Sequence, residues 1–138
     1  MSYIGTELKY VIDNLKAARQ LISNKDNWTT GWFARDFNGS RVHGAHKLTA
    51  ISFCSIGAIN KVTNNTCGIQ TMIEFEIKYL FRAIDYKCNV TYYNDTHTHE
   101  EVLAMFDKAI ELASVDLINA ETDEFFNLTD IDPYLQTR

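Results

Sequence analysis

Tyr92-Tyr93-Asn94-Asp95-Thr96-His97-Thr98-His99-Glu100-Glu101-Val102 joins a polar turn to the start of a helix. Thr98 and Glu101 have the spacing of a capping box, in which the threonine oxygen accepts a backbone N–H and the glutamate reaches back to the cap's own N–H. The residues that follow keep helical rhythm. Val102, Phe106, Ala109 and Ala113 recur at steps of three and four, with Leu103, Ile110 and Leu117 beside them, which predicts a long helix with a wide apolar stripe.

The same rhythm extends towards the N-terminus. Leu8, Val11, Ile12, Leu15, Ala18, Leu21 and Ile22 trace one helical face, with Thr6 as candidate cap and Ser23-Asn24-Lys25-Asp26-Asn27 as a polar stop. Leu48, Ile51, Ser52, Ser55, Ile56 and Ile59 predict a helix over 45–62, and Ile69, Met72, Ile73, Glu76, Ile77, Leu80, Phe81 and Ile84 predict another ending near Lys87. Between the first two lies an aromatic stretch holding Trp28, Trp32, Phe33 and Phe37. Its Phe37-Asn38-Gly39-Ser40 reads as a tight turn, either in a loop or at the tip of a small hairpin. The expected fold is all-α: a single-domain bundle of about four long helices, with an aromatic-rich loop or small hairpin after helix one. Residues 1–120 would form the helical domain and 121–138 an acidic C-terminal tail.

Length and charge narrow the function classes. At 138 residues the chain suits one core. Its longest uncharged run, Leu48 to Asn60, is far short of a membrane span, and the N-terminus lacks a basic head followed by an apolar run. A cytoplasmic location, bacterial or in a phage-infected host cell, is therefore expected, and no membrane contact. Cys54, Cys67 and Cys88 are odd in number and widely spaced, the pattern of free thiols. The formal charge is −5, and residues 109–137 contain seven acids with no lysine or arginine. That end would repel a phosphate backbone, so direct nucleic-acid binding is not expected. A protein with a basic surface is the partner it suits, with Glu121, Asp123, Glu124, Phe125, Phe126 and Asp130 as the candidate contact residues.

Catalytic and metal patterns are weak. His43 with His46 and His97 with His99 form two close pairs, yet no His-Glu-x-x-His or Cys-x-x-Cys accompanies them, so neither a metal nor a cofactor is expected. Cys54 is the one candidate nucleophile, with His97 and Asn94 or Asp95 as conceivable helpers. Placed mid-helix among apolar neighbours, it reads instead as a packed thiol. No phosphate-cradling glycine motif occurs. The strongest ligand constellation is Trp28, Trp32, Arg35, Asp36, Asn94, Asp95 and His97, which would stack a nucleobase and hold its phosphate. The competing reading is architectural: the tryptophans close one end of the bundle and Arg35 pairs with Asp36 or Asp95.

Lys16-Ala17-Ala18-Arg19-Gln20-Leu21-Ile22, Trp28 leading into Gly31, Ala34-Arg35-Asp36 with Gly39, Phe53-Cys54-Ser55-Ile56-Gly57-Ala58-Ile59, and Tyr93-Asn94-Asp95 with Thr98-His99-Glu100-Glu101-Val102 occur in that order. The chain resembles, from helix one to about Ala113, a bacterial and phage family classed as domain of unknown function 6197. Relatives typically carry Trp-Asn-Asp where this chain has Tyr93-Asn94-Asp95. The resemblance implies a compact helical domain of bacterial or phage origin and no reaction. Two functions follow as expectations: a non-enzymatic interaction protein binding a host protein, as an anti-defence or takeover factor, or a small-nucleotide sponge or hydrolase using the aromatic constellation. Amphipathic helices in so short a chain also make a homodimer an expectation.

Overall fold

The computed structural model describes residues 3–64 and 73–129, with side chains over 7–64 and 73–123. Ile69 and Met72 of the expected third helix, Cys67, Asp130 and the side chains of Thr6, Glu124, Phe125 and Phe126 lie outside the described residues. The fold is mostly helical. It comprises α1 (Tyr3–Leu21), a 3₁₀ turn (Lys25–Asn27), β1 (Ala34–Arg35), β2 (Ser52–Phe53), α2 (Ser55–Thr63), α3 (Glu74–Ala83), α4 (Val90–Thr96) and α5 (His99–Thr129).

The frame is the antiparallel pair of α1 and α5. Arg19 meets Asp107 near one end and Lys9 meets Glu121 near the other, which fixes the direction and alignment of the two helices. Leu15, Ala18, Phe106, Ala109 and Ala113 are fully buried, so the stripes read from the sequence do face the core. The capping box forms as well: Glu101 N–H donates to Thr98 Oγ1 at 3.1 Å, and Thr98 N–H donates to Glu101 Oε1 at 2.9 Å. Thr6 is not a cap, because α1 already begins at Tyr3.

The described residues form five α-helices where about four long ones were expected, and of these five only α1 and α5 are long. The expected helix over 45–62 starts ten residues late, at Ser55. Leu48, assigned to its core face, is 95% exposed. Residues 44–51 instead make two turns, closed by Lys47 N–H to Gly44 O and Ala50 N–H to Lys47 O, and Ser52–Phe53 pairs with Ala34–Arg35 in a two-stranded antiparallel sheet. Backbone pairing with β1 outweighs a helical rhythm that a short apolar run cannot distinguish from a strand. The hairpin expectation is met only locally. Asp36 and Ser40 close a turn, and Arg35 bridges Arg41 across it, but β1 pairs with β2 through a long connection. α4 was not expected. Asn89 starts it, its side chain accepting the Tyr92 N–H at 2.7 Å, and Val90 and Asn94 face inward one turn apart.

α3 ends in a Schellman closure. Asp85 N–H donates to Arg82 O and Tyr86 N–H to Phe81 O, with Asp85 in the left-handed region at φ 57°. The Tyr86 ring packs edge-on against Phe81 at 4.8 Å, the apolar contact that accompanies this motif.

The aromatic insertion sits against α2 with no room to spare. The Phe33 carbonyl accepts the Cys54 N–H at 3.1 Å and lies over Gly57. A Cβ on Gly57 would overlap the Phe33 oxygen and stand 2.8 Å from its carbonyl carbon, and both are backbone atoms. Gly57→Ala is expected to destabilise the fold by about 3 kcal/mol in chemical denaturation, although alanine is the better helix former. A neutral or stabilising result would mean that the insertion does not rest on α2.

Candidate functional site

Asn94 is fully buried, and every hydrogen-bonding group of its side chain is engaged. Its Oδ1 accepts from Trp28 Nε1 at 2.9 Å, from Ser55 N–H at 3.0 Å and from Ser55 Oγ at 2.8 Å. Its Nδ2 donates to Thr29 O at 3.0 Å and Asp95 Oδ1 at 3.2 Å. Asp95 Oδ1 also accepts the Gly31 N–H at 2.9 Å, where Gly31 takes a φ of 80° that favours glycine. Arg35 follows the same segment, donating to Thr29 Oγ1, Thr30 O and Gly39 O at 3.0 to 3.1 Å.

The structure thus brings Trp28, Asn94 and Asp95 together, with Arg35 clamping the loop beside them. The expected pairing of Arg35 with Asp36 or Asp95 is corrected: Arg35 donates to a hydroxyl and two carbonyls, and the two carboxylates cap backbone N–H groups instead. Asp36 Oδ1 accepts from Asn38 and Ser40 within its own turn. Trp32 belongs elsewhere in the insertion, its Nε1 donating to Val42 O, with Arg41 4.6 Å from the ring centroid and His43 edge-on.

The two histidines of the opening stretch diverge. His99 opens α5, donates from Nε2 to Ile22 O at 2.6 Å and lies against Trp28. His97 caps α4 and faces α3 and α5, stacked on Tyr93 with ring centroids 3.6 Å apart. It lines a cleft of about 420 Å³ with Ile84, Asp85, Lys87, Tyr93, Glu101 and Met105 among the walls. Sequence reasoning placed His97 with Trp28 and Arg35. The missed signal was Asn89, whose cap makes 90–96 helical and turns His97 away from Asn94.

Cys54 is the N-cap of α2, not a mid-helix residue, and its sulfur accepts the Gly57 N–H at 3.3 Å. A helix start favours a thiolate, but burial dominates and pushes the thiol up to about 11, so it stays protonated at neutral pH. Among the described residues, no group of three or more His, Cys, Asp or Glu side chains is placed to hold a metal ion. No helix of the described residues is long and apolar enough to cross a membrane.

A second concavity of about 430 Å³ lies at the other end of the frame. Leu8, Val11, Phe75, Tyr79 and Ala120 give it apolar walls, and Glu7 and Asp116 give it carboxylates. Asp116 accepts from Tyr79 Oη at 2.6 Å and from Arg82 at 2.8 Å. Burial alone would raise the Asp116 carboxyl, but these two hydrogen bonds and the Arg82 charge outweigh it and hold it below the usual aspartate value. The same burial and the Asp116 acceptor push the Tyr79 hydroxyl up to about 12. Glu121 and Asp123 are exposed on α5 just beyond.

A family model described as a family of unknown function (DUF6197) matches residues 7–112. The chain belongs to that family. No curated protein and no solved structure matches it. The family match takes in the Asn94 hub, the His97 cleft and the first half of α5, and it ends before Asp116, Glu121 and Asp123.

Two outcomes follow. Asn94→Ala strands the Trp28 indole N–H, the Ser55 N–H and the Thr29 carbonyl, so a loss of about 3–5 kcal/mol is expected by denaturant titration, against about 1 kcal/mol for Asp95→Ala at an exposed position. Equal effects would remove Asn94 from the centre of the network. Asp116, with a lowered folded pKa, adds stability that is present above its ordinary value of 3.8 and is lost as pH falls through the folded value. Asp116→Asn is expected to flatten that part of the acid dependence in urea midpoints taken between about pH 6 and about pH 3, and an unchanged slope would assign it to other carboxylates.

Proposed function

We propose that this chain is a non-enzymatic interaction protein that captures a protein partner with a basic surface, using the acidic end of α5 and the groove it shares with α1 and α3. The observation that carries the reading is an apolar groove bordered by carboxylates. Phe75 is half exposed over a floor of Leu8 and Val11, and Glu7, Asp116, Glu121 and Asp123 surround or adjoin it. Two nearby cations are paired, Lys9 with Glu121 and Arg82 with Asp116, while Lys78 Nζ lies 5.5 Å from the Phe75 ring centroid. Such a surface suits an apolar anchor carried on a basic segment, in which the anchor supplies affinity and the charges supply rate and specificity.

The partner this reading expects is a host protein in a bacterial or phage-infected cell. The nucleotide-pocket alternative has less support from the geometry. Trp28, Asn94 and Arg35 direct their donors at the protein's own backbone and side chains, which leaves few groups to recognise a base or a phosphate.

The test uses a lysine-rich helical peptide with one leucine anchor and its glutamate-rich counterpart, followed by fluorescence anisotropy. The basic peptide is expected to bind and the acidic one not. Glu121→Lys with Asp123→Lys should weaken binding about tenfold with helicity unchanged, and Phe75→Ala should weaken it by a similar factor. Equal binding of both peptides, or indifference to all three substitutions, would overturn the assignment.

A further inference from the structure

The cleft that holds His97 lies in a different part of the fold from the acidic groove and serves no structural need already described. We propose that it is a binding site for a small molecule carrying a protonated amine on a planar or apolar body.

The hydrogen bonding of His97 fixes its tautomer. Nδ1 lies 2.9 Å from the Tyr93 carbonyl oxygen, which can only accept, so Nδ1 carries the proton in the neutral ring. Thr96 Oγ1, 3.1 Å from the same nitrogen, gives its own proton to Tyr92 O at 2.7 Å and so also acts as an acceptor there. Nε2 is left as the lone-pair nitrogen, with no hydrogen-bond partner among the described residues. A backbone carbonyl that holds one nitrogen and leaves the other free is how a histidine is oriented towards a ligand.

The surroundings of His97 select the ligand's charge. Asp85 and Glu101 contribute two carboxylates against the single cation of Lys87, and neither Asp85 nor Lys87 has an ion-pair partner among the described residues. Glu101 caps α5 through Oε1, which holds its carboxyl below the usual glutamate range and leaves Oε2 open. Burial, then the Glu101 charge, raises the Tyr93 hydroxyl, which stays a neutral donor. The apolar part of the wall is Ile84 and Met105, and the Tyr93–His97 stack adds an aromatic face that attracts a cation or continues with a flat ring. The Schellman closure at Asp85 holds that rim residue against the end of α3. An ammonium between Glu101, Asp85 and Nε2, with its body over the stack, would meet the two carboxylates and the lone-pair nitrogen. An anion would face two carboxylates.

The experiment is a titration of the full chain by two-dimensional amide NMR, with phenethylamine as probe and phenylacetate as its anionic counterpart. Phenethylamine is expected to shift the amides of Asp85, Lys87, Tyr93, His97 and Met105 at concentrations below about 10 mM, and phenylacetate to leave them in place. Glu101→Gln keeps the capping box, since glutamine also caps at this position, and should weaken the amine about fivefold. Lys87→Met should tighten it about twofold by removing the competing cation. Absence of shifts up to that concentration, equal shifts by phenylacetate, or an affinity unchanged in Glu101→Gln would each overturn the proposal.

Discussion

One buried amide determines where the parts of this molecule meet. Asn94 joins segments that are 39 and 66 residues apart along the chain, the start of α2 through Ser55 and the aromatic insertion through Trp28. The position needs a short side chain with both an acceptor and a donor. Aspartate would lose the donor to Thr29 O, and leucine would lose both, leaving the buried Ser55 groups and the half-buried Trp28 N–H and Thr29 carbonyl unpaired. Gly57 states the same constraint in steric form: once Asn94 draws the insertion onto α2, the Phe33 carbonyl comes so close that only a hydrogen fits beneath it.

The α1–α5 frame obeys different physics. The ion pairs at its ends, Arg19 with Asp107 and Lys9 with Glu121, are surface pairs worth at most about 1 kcal/mol each. The stability of the frame comes from the fully buried Leu15, Ala18, Val102, Phe106, Ala109 and Ala113. The alanines let the two helices approach closely while leucine and phenylalanine fill the space between them. A frame held by packing leaves its outward face free to vary, and the acidic residues of α5 occupy that face beyond the reach of the family match.

What the sequence made legible was whatever is local and periodic. The capping box at Thr98, the stripe of α5, the stripe of α1 and its polar stop at Ser23–Asn27 are each encoded within a few turns of chain, and each is present. What it hid depends on long-range partners. Residues 45–54 have the composition of a buried helix, and only the presence of β1 turns Ser52–Phe53 into a strand and Cys54 into a cap. Arg35 invites a carboxylate partner by chemistry, yet Asp36 and Asp95 are claimed by backbone N–H groups of the turns beside them. The candidate ligand set was likewise half legible: Trp28, Asn94 and Asp95 do converge, but as a fully satisfied structural node.

The contrast between His97 and His99 shows why such a set divides. In an extended segment, residues two apart share a face, and an imidazole pair would result. Here Asn89 makes the preceding residues helical, and Thr98 starts a second helix immediately after His97, so the two rings leave the junction in different directions. His99 gives its Nε2 proton to Ile22 O and closes the bundle against Trp28. His97 gives its Nδ1 proton to the carbonyl of its own helix and retains a free nitrogen in a cleft. The same residue type, two positions apart, is structural in one case and chemically available in the other. The difference rests on which nitrogen the backbone has already taken.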